Sequence, residues 1–140
     1  MEIADIMTTE VEFIAPDATT QEAAEMMGDL DVGGLPVGVA GNIQGVITDR
    51  DLLYRVVAAG RSPVTLRVRE VMTAPALFCR PGDDLRTAMD MMAAQNIRRL
   101  AVCDTTGQVV GWVTLSDVSR RLLVNSDALQ HALRSATETA

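Results

Sequence analysis

The sequence predicts a mixed α/β (α+β) fold, in which two copies of a β-α-β-β-α unit pack sheet to sheet about a pseudo-twofold axis. Three observations predict it. The chain has 140 residues, 48% of them hydrophobic, enough for one domain with a substantial core. Its first half is repeated in its second half. Each copy carries the same succession of apolar runs, alternating between strand and helix periods and punctuated by Gly, Pro and Asp.

The repeat is explicit. Residues 6–40 align with 71–105, with identities at Met7/Met72, Thr8/Thr73, Phe13/Phe78, Pro16/Pro81, Ala23/Ala88, Met26/Met91, Met27/Met92, Leu35/Leu100 and Val37/Val102. After one inserted residue, 41–59 align with 107–125, with identities at Gly41/Gly107, Gly45/Gly111, Thr48/Thr114, Asp51/Asp117 and Arg55/Arg121. A two-stranded hairpin with two helices cannot bury its apolar face alone. The copies are therefore expected to pack on each other and leave a cleft between them. The division that follows is 1–60 for the first copy, 61–67 for a linker broken at Ser62-Pro63, 68–125 for the second copy and 126–140 for a C-terminal helix and tail.

The elements follow in order. Residues 11–14 (VEFI) read as a short strand closed by Pro16-Asp17. Thr19 and Glu22 have capping-box spacing, so a helix should start there, with Ala23, Ala24, Met26, Met27 and Leu30 as its apolar stripe. Gly33-Gly34 break the chain. Residues 35–40 and 45–48 read as a hairpin about Gly41-Asn42, and 49–59 as a helix ended by Gly60. In the second copy, 76–79 is the strand and Leu85–Gln95 the helix. Residues 100–104 and 109–113 form the hairpin about Thr106-Gly107, and 115–124 the closing helix. Leu129 and Leu133 stand at helical spacing in the tail. Met26, Met27, Met89, Met91 and Met92 crowd one helix of each copy, as core filler or a dimer seam rather than a promiscuous binding face.

Composition narrows the function. The net charge of −7 argues against nucleic acid as the partner, because phosphate binding needs a basic face. Charge is also uneven: eleven acids and two arginines precede residue 61, and eight acids and ten arginines follow it. All twelve basic residues are Arg, which removes the Lys that Schiff-base and P-loop chemistry require. The two cysteines, Cys79 and Cys103, lie in apolar runs and read as buried core thiols. With them, the single His131 is too little for a zinc pattern or a catalytic triad, so neither a metal site nor a catalytic residue is expected. The N-terminus lacks the basic start of a signal peptide, and no apolar run is long enough to span a membrane. A cytoplasmic location is expected.

The most informative local feature is G-V-I-T-D-R-D at 45–51, echoed as G-W-V-T-L-S-D at 111–117. Each places Thr, two spacers and Asp between an apolar strand and a helix. That spacing makes a capping box. It also suits a nucleotide: a helix N-terminus favours phosphate, a Thr hydroxyl hydrogen-bonds it, and an Asp carboxylate accepts from ribose hydroxyls.

The doubled unit and its G-h-h-T-x-x-D corners resemble a tandem cystathionine-β-synthase (CBS) domain pair, the Bateman module. The likeness covers about residues 3–125, carried by "DIMTTEVEFIAPDATTQEAAEMM", "LPV" and "GVITDRDLLYRVVAAG" in the first copy. In the second copy "EVMTAPALFCRPGDDLRTAMDMM" and "RRLAV" carry it. The chain is similar to small stand-alone bacterial CBS pairs, a group that includes hypoxic-response proteins. The resemblance implies a regulatory module, with no cofactor in the catalytic sense. It implies an adenosine-containing ligand in the cleft between copies, a homodimer, and an output to a separate regulated protein. It assigns ribose binding to Asp51 and Asp117, places Thr48 and Thr114 near phosphate, and walls the pockets with the segments around Met7-Thr8 and Met72-Thr73.

The two sites are expected to differ. Arg98-Arg99 stand where the first copy has Gly33-Gly34, and a guanidinium suits phosphate; Arg50 and Arg80 add to the field. The better site is therefore expected to combine Thr114 and Asp117 with Arg98 or Arg99, and Thr48, Asp51, Arg50 and Thr73 are the further candidate binding residues. Three features depart from the family pattern: Ala101 where Pro36 stands in the first copy, Leu115-Ser116 after Thr114, and bulky Trp112 on the strand before it. The competing readings are a CBS-fold homodimer with vestigial pockets, acting as a scaffold, and an enzyme. The absence of Lys and of any acid–base cluster speaks against the enzyme.

Overall fold

The computed structural model describes residues 1–124, 131–132 and 134–136. Leu129 and Leu133, the expected apolar positions of the tail, lie outside the described residues; His131 is helical and exposed.

Helix α1 (Thr20–Leu30) begins as its sequence dictates. The Glu22 N–H donates to Thr19 Oγ1 at 3.1 Å, and the Thr19 N–H donates to the Glu22 carboxylate at 3.2 Å. It ends two residues before the expected Gly33-Gly34 break. Asp31 takes the left-handed conformation (φ 54°) and donates its N–H back to Gly28 and Met27. Asn96 (φ 53°) closes α4 (Leu85–Gln95) in the same way. Asp and Asn tolerate this region because their short polar side chains can bond locally.

In the first copy β1 (Gly34–Val39) and β2 (Asn42–Thr48) form an antiparallel hairpin with a bulge between Val37 and Gly38. In the second copy β4 (Arg99–Cys103) pairs antiparallel with β5 (Val109–Thr114) and parallel with β3 (Phe78–Cys79). The strand expected at 11–14 is reduced to one bridge, Ile14 to Val37. Pro36 explains the difference. It has no N–H with which to extend that pairing, whereas Ala101 at the equivalent position pairs with Phe78.

The corner helices also differ. In the first copy α2 starts as one α-helical turn (Asp49–Asp51) and continues as a π-helix (Leu52–Val57). Its counterpart α5 (Leu115–Leu123) is a regular α-helix. A π segment widens the turn by one residue, and such segments favour functional sites.

The two cores do not follow chain order. The first collects Ile14, Ala23, Met27, Leu35, Val37, Ile47 and Val56, and adds Leu66, Val68 and Val71 from the linker and the short helix α3 (Val68–Val71). The second collects Leu85, Ala88, Met92, Leu100, Val102, Val113 and Val118, and adds Ile3 from the N-terminus. Each copy thus lends its leading segment to the other. Thr73 exchanges backbone hydrogen bonds with Val46, and Thr8 with Trp112, all at 2.9 Å. The glycines of the repeat make room for this. A Cβ on Gly45 would stand 2.7 Å from the Thr73 carbonyl oxygen and 3.0 Å from Met72 Sδ. Gly111 is pressed likewise by Met7.

A third cluster joins the copies: Ala101, Cys103 and Val109, with Val11, Phe13, Ile43 and Trp112 against them. The helix methionines are core residues, Met27 and Met92 buried and Met26, Met89 and Met91 packed on the same cores. Cys79 and Cys103 are free and buried. Among the described residues no helix is long and apolar enough to cross a membrane.

Candidate functional site

The β2–α2 corner is built by its own sequence. Thr48 caps α2 by accepting the Asp51 N–H at 3.2 Å, and its own N–H donates to Asp51 Oδ2 at 2.9 Å. The Thr48 hydroxyl also reaches Asp51 Oδ2, at 3.0 Å. Across the copy boundary the Thr73 hydroxyl donates to Asp51 Oδ1 at 3.3 Å. Arg55 Nε lies 3.8 Å from the same oxygen. Arg55 in turn donates to the Val71 carbonyl at 2.9 Å, tying α2 to the lent segment. Asp51 is consequently buried, at 7% exposure, yet fully partnered.

This corner opens on a cleft of about 940 Å³. Thr48, Arg50 and Asp51 form one wall. Thr73, and the residues leading into β4 (Ile97, Arg98 and Arg99), form the other. Both copies contribute, as expected for a cleft between them. Six of the eight residues named from the sequence therefore come together: Thr48, Arg50, Asp51, Thr73, Arg98 and Arg99.

Thr114 and Asp117 do not line this cleft. They form the same cap at the β5–α5 corner, with the Asp117 N–H donating to Thr114 Oγ1 and the Thr114 N–H to Asp117 Oδ2, each at 3.2 Å. The expected grouping of Arg98 or Arg99 with Thr114 and Asp117 is thus corrected. Sheet-to-sheet packing turns the residues leading into one copy's strand toward the other copy's corner. Arg99 pairs with Thr114 through the backbone, but its side chain runs across to Gly33 and Gly34. Arg80 is elsewhere, stacked 5.2 Å from the Phe78 ring and bonded to the Cys103 and Asp104 carbonyls.

The N-terminus of α2 does not offer the free N–H groups expected of it for phosphate: Asp49 N–H donates to the Gly33 carbonyl at 3.0 Å, Arg50 N–H to Asp49 Oδ1 at 2.8 Å, and Asp51 N–H to Thr48. Positive charge at the cleft comes instead from guanidinium groups. Arg50, Arg55, Arg98 and Arg99 line it against two carboxylates, Asp49 and Asp51.

Sequence reasoning missed Tyr54, Arg55 and Leu77 as lining residues, whereas Ile97 begins the Ile97–Ala101 lead-in that the family resemblance sets against the base. Arg55 carried a signal, since it recurs as Arg121 at the same place in the repeat. Tyr54 carried none; it reaches the rim on the π-helical turn, where Arg50 lies 5.5 Å over its ring. Chemically, the cleft offers a hydroxyl pair, one oriented carboxylate, apolar walls and four guanidinium groups. That set suits a part-apolar ligand with hydroxyls and anionic groups.

Comparison with known proteins agrees with this architecture. The family model of the CBS domain matches twice, over residues 3–58 and 68–124. The chain is 38% identical over 126 residues to the CBS domain-containing protein YhcV of Bacillus subtilis, covering 90% of this chain and 89% of that protein. It is 29% identical over 119 residues to hypoxic response protein 1 of Mycobacterium tuberculosis, covering 84% and 82%. Among solved structures, a putative signal-transduction protein with CBS domains from Burkholderia ambifaria superposes with a TM-score of 0.85 at 24% identity, covering 91% of this chain and 97% of that one.

Proposed function

The chain belongs to the CBS-domain family, of which it carries two copies, and on that premise we propose that it is a regulatory module that binds an adenosine-containing nucleotide in the cleft between the copies. One observation carries the reading: the Thr48–Asp51 corner of the first copy and Arg98-Arg99 of the second converge on one cleft. In this reading Asp51 accepts from the ribose hydroxyls, displacing Thr73 from Oδ1. The base lies against Val46 and Ile97, and the phosphates meet the guanidinium groups. The ligand then bridges the two copies, so its binding alters how they are held together and signals to a separate protein. Leu53, Tyr54 and Val57 stand exposed on α2 and are available to a second chain, in keeping with a homodimer.

The test is calorimetric titration with AMP, ADP, ATP, NAD and S-adenosylmethionine, supported by thermal shift. A ligand confined to the folded state raises the melting temperature by mass action. Binding of one of these ligands, lost in Asp51→Ala and kept in Asp117→Ala, is the expected result. A second reading, a scaffold with a structural corner, is favoured by the four partners Asp51 already holds. No binding of any of the five at millimolar concentration by the folded wild type would make that reading the better one.

A further inference from the structure

The repeat assigns every lining position of the cleft a counterpart on the opposite side of the molecule, and the counterparts are chemically different. We infer that the two clefts are not equivalent: the chain takes one anionic ligand, on the Thr48–Asp51 side, and the Thr114–Asp117 side is closed to it by Trp112 and an acidic rim. The inference rests on the nucleotide reading for the ligand's identity, while charge and volume alone set the two clefts apart.

Volume comes first. Val46 lines the open cleft; its equivalent on β5 is Trp112. Ala76 also lines the open cleft; its equivalent is Val11. Trp112 and Val11 pack together on the Ala101, Cys103 and Val109 cluster that joins the copies. Where the first side keeps Val46, Ala76 and a cavity, the second puts an indole for the valine and a valine for the alanine.

Charge points the same way. Pro75, Leu77 and Asn96 line the open cleft; their equivalents are Glu10, Glu12 and Asp31, all exposed. Arg98 and Arg99 correspond to Gly33 and Gly34. Charged lining of the open cleft is four Arg against two Asp. The equivalent positions carry Arg120 and Arg121 against Glu10, Glu12, Asp31 and Asp117. The balance changes sign, so an anion is attracted to one side and repelled from the other.

The experiment is calorimetry with two probes, ATP and inorganic tripolyphosphate, read together with Trp112 emission, the chain having one Trp. For the wild type the expected result is one ATP site per chain, competed by tripolyphosphate. ATP binding should weaken at least tenfold in Arg98→Ala and stay unchanged in Asp117→Ala. Trp112 emission should not move at ATP saturation. Two wild-type ATP sites, a shift of Trp112 emission, or loss of binding in Asp117→Ala but not in Arg98→Ala would overturn the inference while leaving the nucleotide reading in place. One tripolyphosphate site sensitive to Arg98→Ala, with no adenosine ligand bound, would do the reverse. Absence of both probes would overturn both. Trp112→Val combined with Glu10→Gln and Glu12→Gln, once shown to be folded by circular dichroism, should gain a second ATP site; a folded triple variant that still binds one removes Trp112 and the rim as the block.

Discussion

Arg99 lies across Gly34, the residue it corresponds to in the first copy. A Cβ on Gly34 would stand 2.7 Å from Arg99 Cδ and 2.9 Å from its Nε. At a pseudo-twofold axis a residue meets its own equivalent, and two arginines there would collide and repel. Having the pair as Gly and Arg lets one guanidinium cross the interface into the cleft.

Gly34→Val should therefore destabilise the chain by roughly 1–3 kcal/mol through overpacking. The φ of Gly34 is not positive, so the cost should come from the contact and not from the backbone. In a double-mutant cycle by urea denaturation, Arg99→Ala should recover most of that loss. Full additivity of the two changes would mean that the side chains do not meet.

Asp51→Ala should cost more stability than Asp117→Ala, by about 1–2 kcal/mol. The Asp51 carboxylate accepts from Thr48 N–H, the Thr48 hydroxyl and the Thr73 hydroxyl, and it faces Arg55. Among the described residues the Asp117 carboxylate accepts from the Thr114 N–H alone, and Asp117 is only half-buried. Equal losses in parallel denaturant titrations would contradict the asymmetry of the corners.

Ile3→Ala should cost roughly 2–5 kcal/mol, the range for truncating a buried Ile, although Ile3 stands almost at the chain start. It is fully buried in the second copy's core, and its N–H donates to the Asp83 carbonyl at 2.8 Å. Hydrogen exchange of β5 should speed up in this variant more than that of β2, because Thr8 pairs with Trp112. Unchanged β5 protection would show that the leading segment is not part of that core.

Stability should fall as pH rises from 9 to 11, in part through Cys79. Burial, reinforced by Asp83, pushes its thiol from 9.0 up to about 11. Below pH 9 the thiol is neutral in both states and its contribution is complete. Above pH 9 the unfolded chain releases the proton and the folded chain does not, so the contribution is lost as pH rises toward 11. The loss attributable to Cys79 is on the order of 2 kcal/mol. A Cys79→Ala chain should show a shallower decline over that window; an identical decline would assign it to other groups.

Much of this was legible in the sequence because it is local. The Thr19/Glu22 box, the limits of α4 and the Thr-x-x-Asp caps depend on residues a few positions apart, and each formed as its spacing requires, whereas the first hairpin turns one residue early, with Asn42 already in β2. The strand at 11–14 was misread because the effect of Pro36 falls on a different strand from the one Pro36 belongs to. The π-helical turn of α2 was not legible, since α5 shares its Thr-x-x-Asp cap and its Arg four residues on, yet makes a regular helix.

The sequence by itself determined that there are two copies of one unit, their order of elements, and six of the residues that meet at the cleft. It also carried the unequal charge of the halves. What only the tertiary structure decided is which copy's corner faces which copy's arginines. That choice is made by the packing of one sheet on the other, which carries Arg99 over Gly33 and Gly34 and brings Arg98 and Arg99 to Asp51. Spacing along the chain fixes what a residue can do locally; which distant residue it meets is set by the burial of two apolar faces that neither copy can satisfy alone.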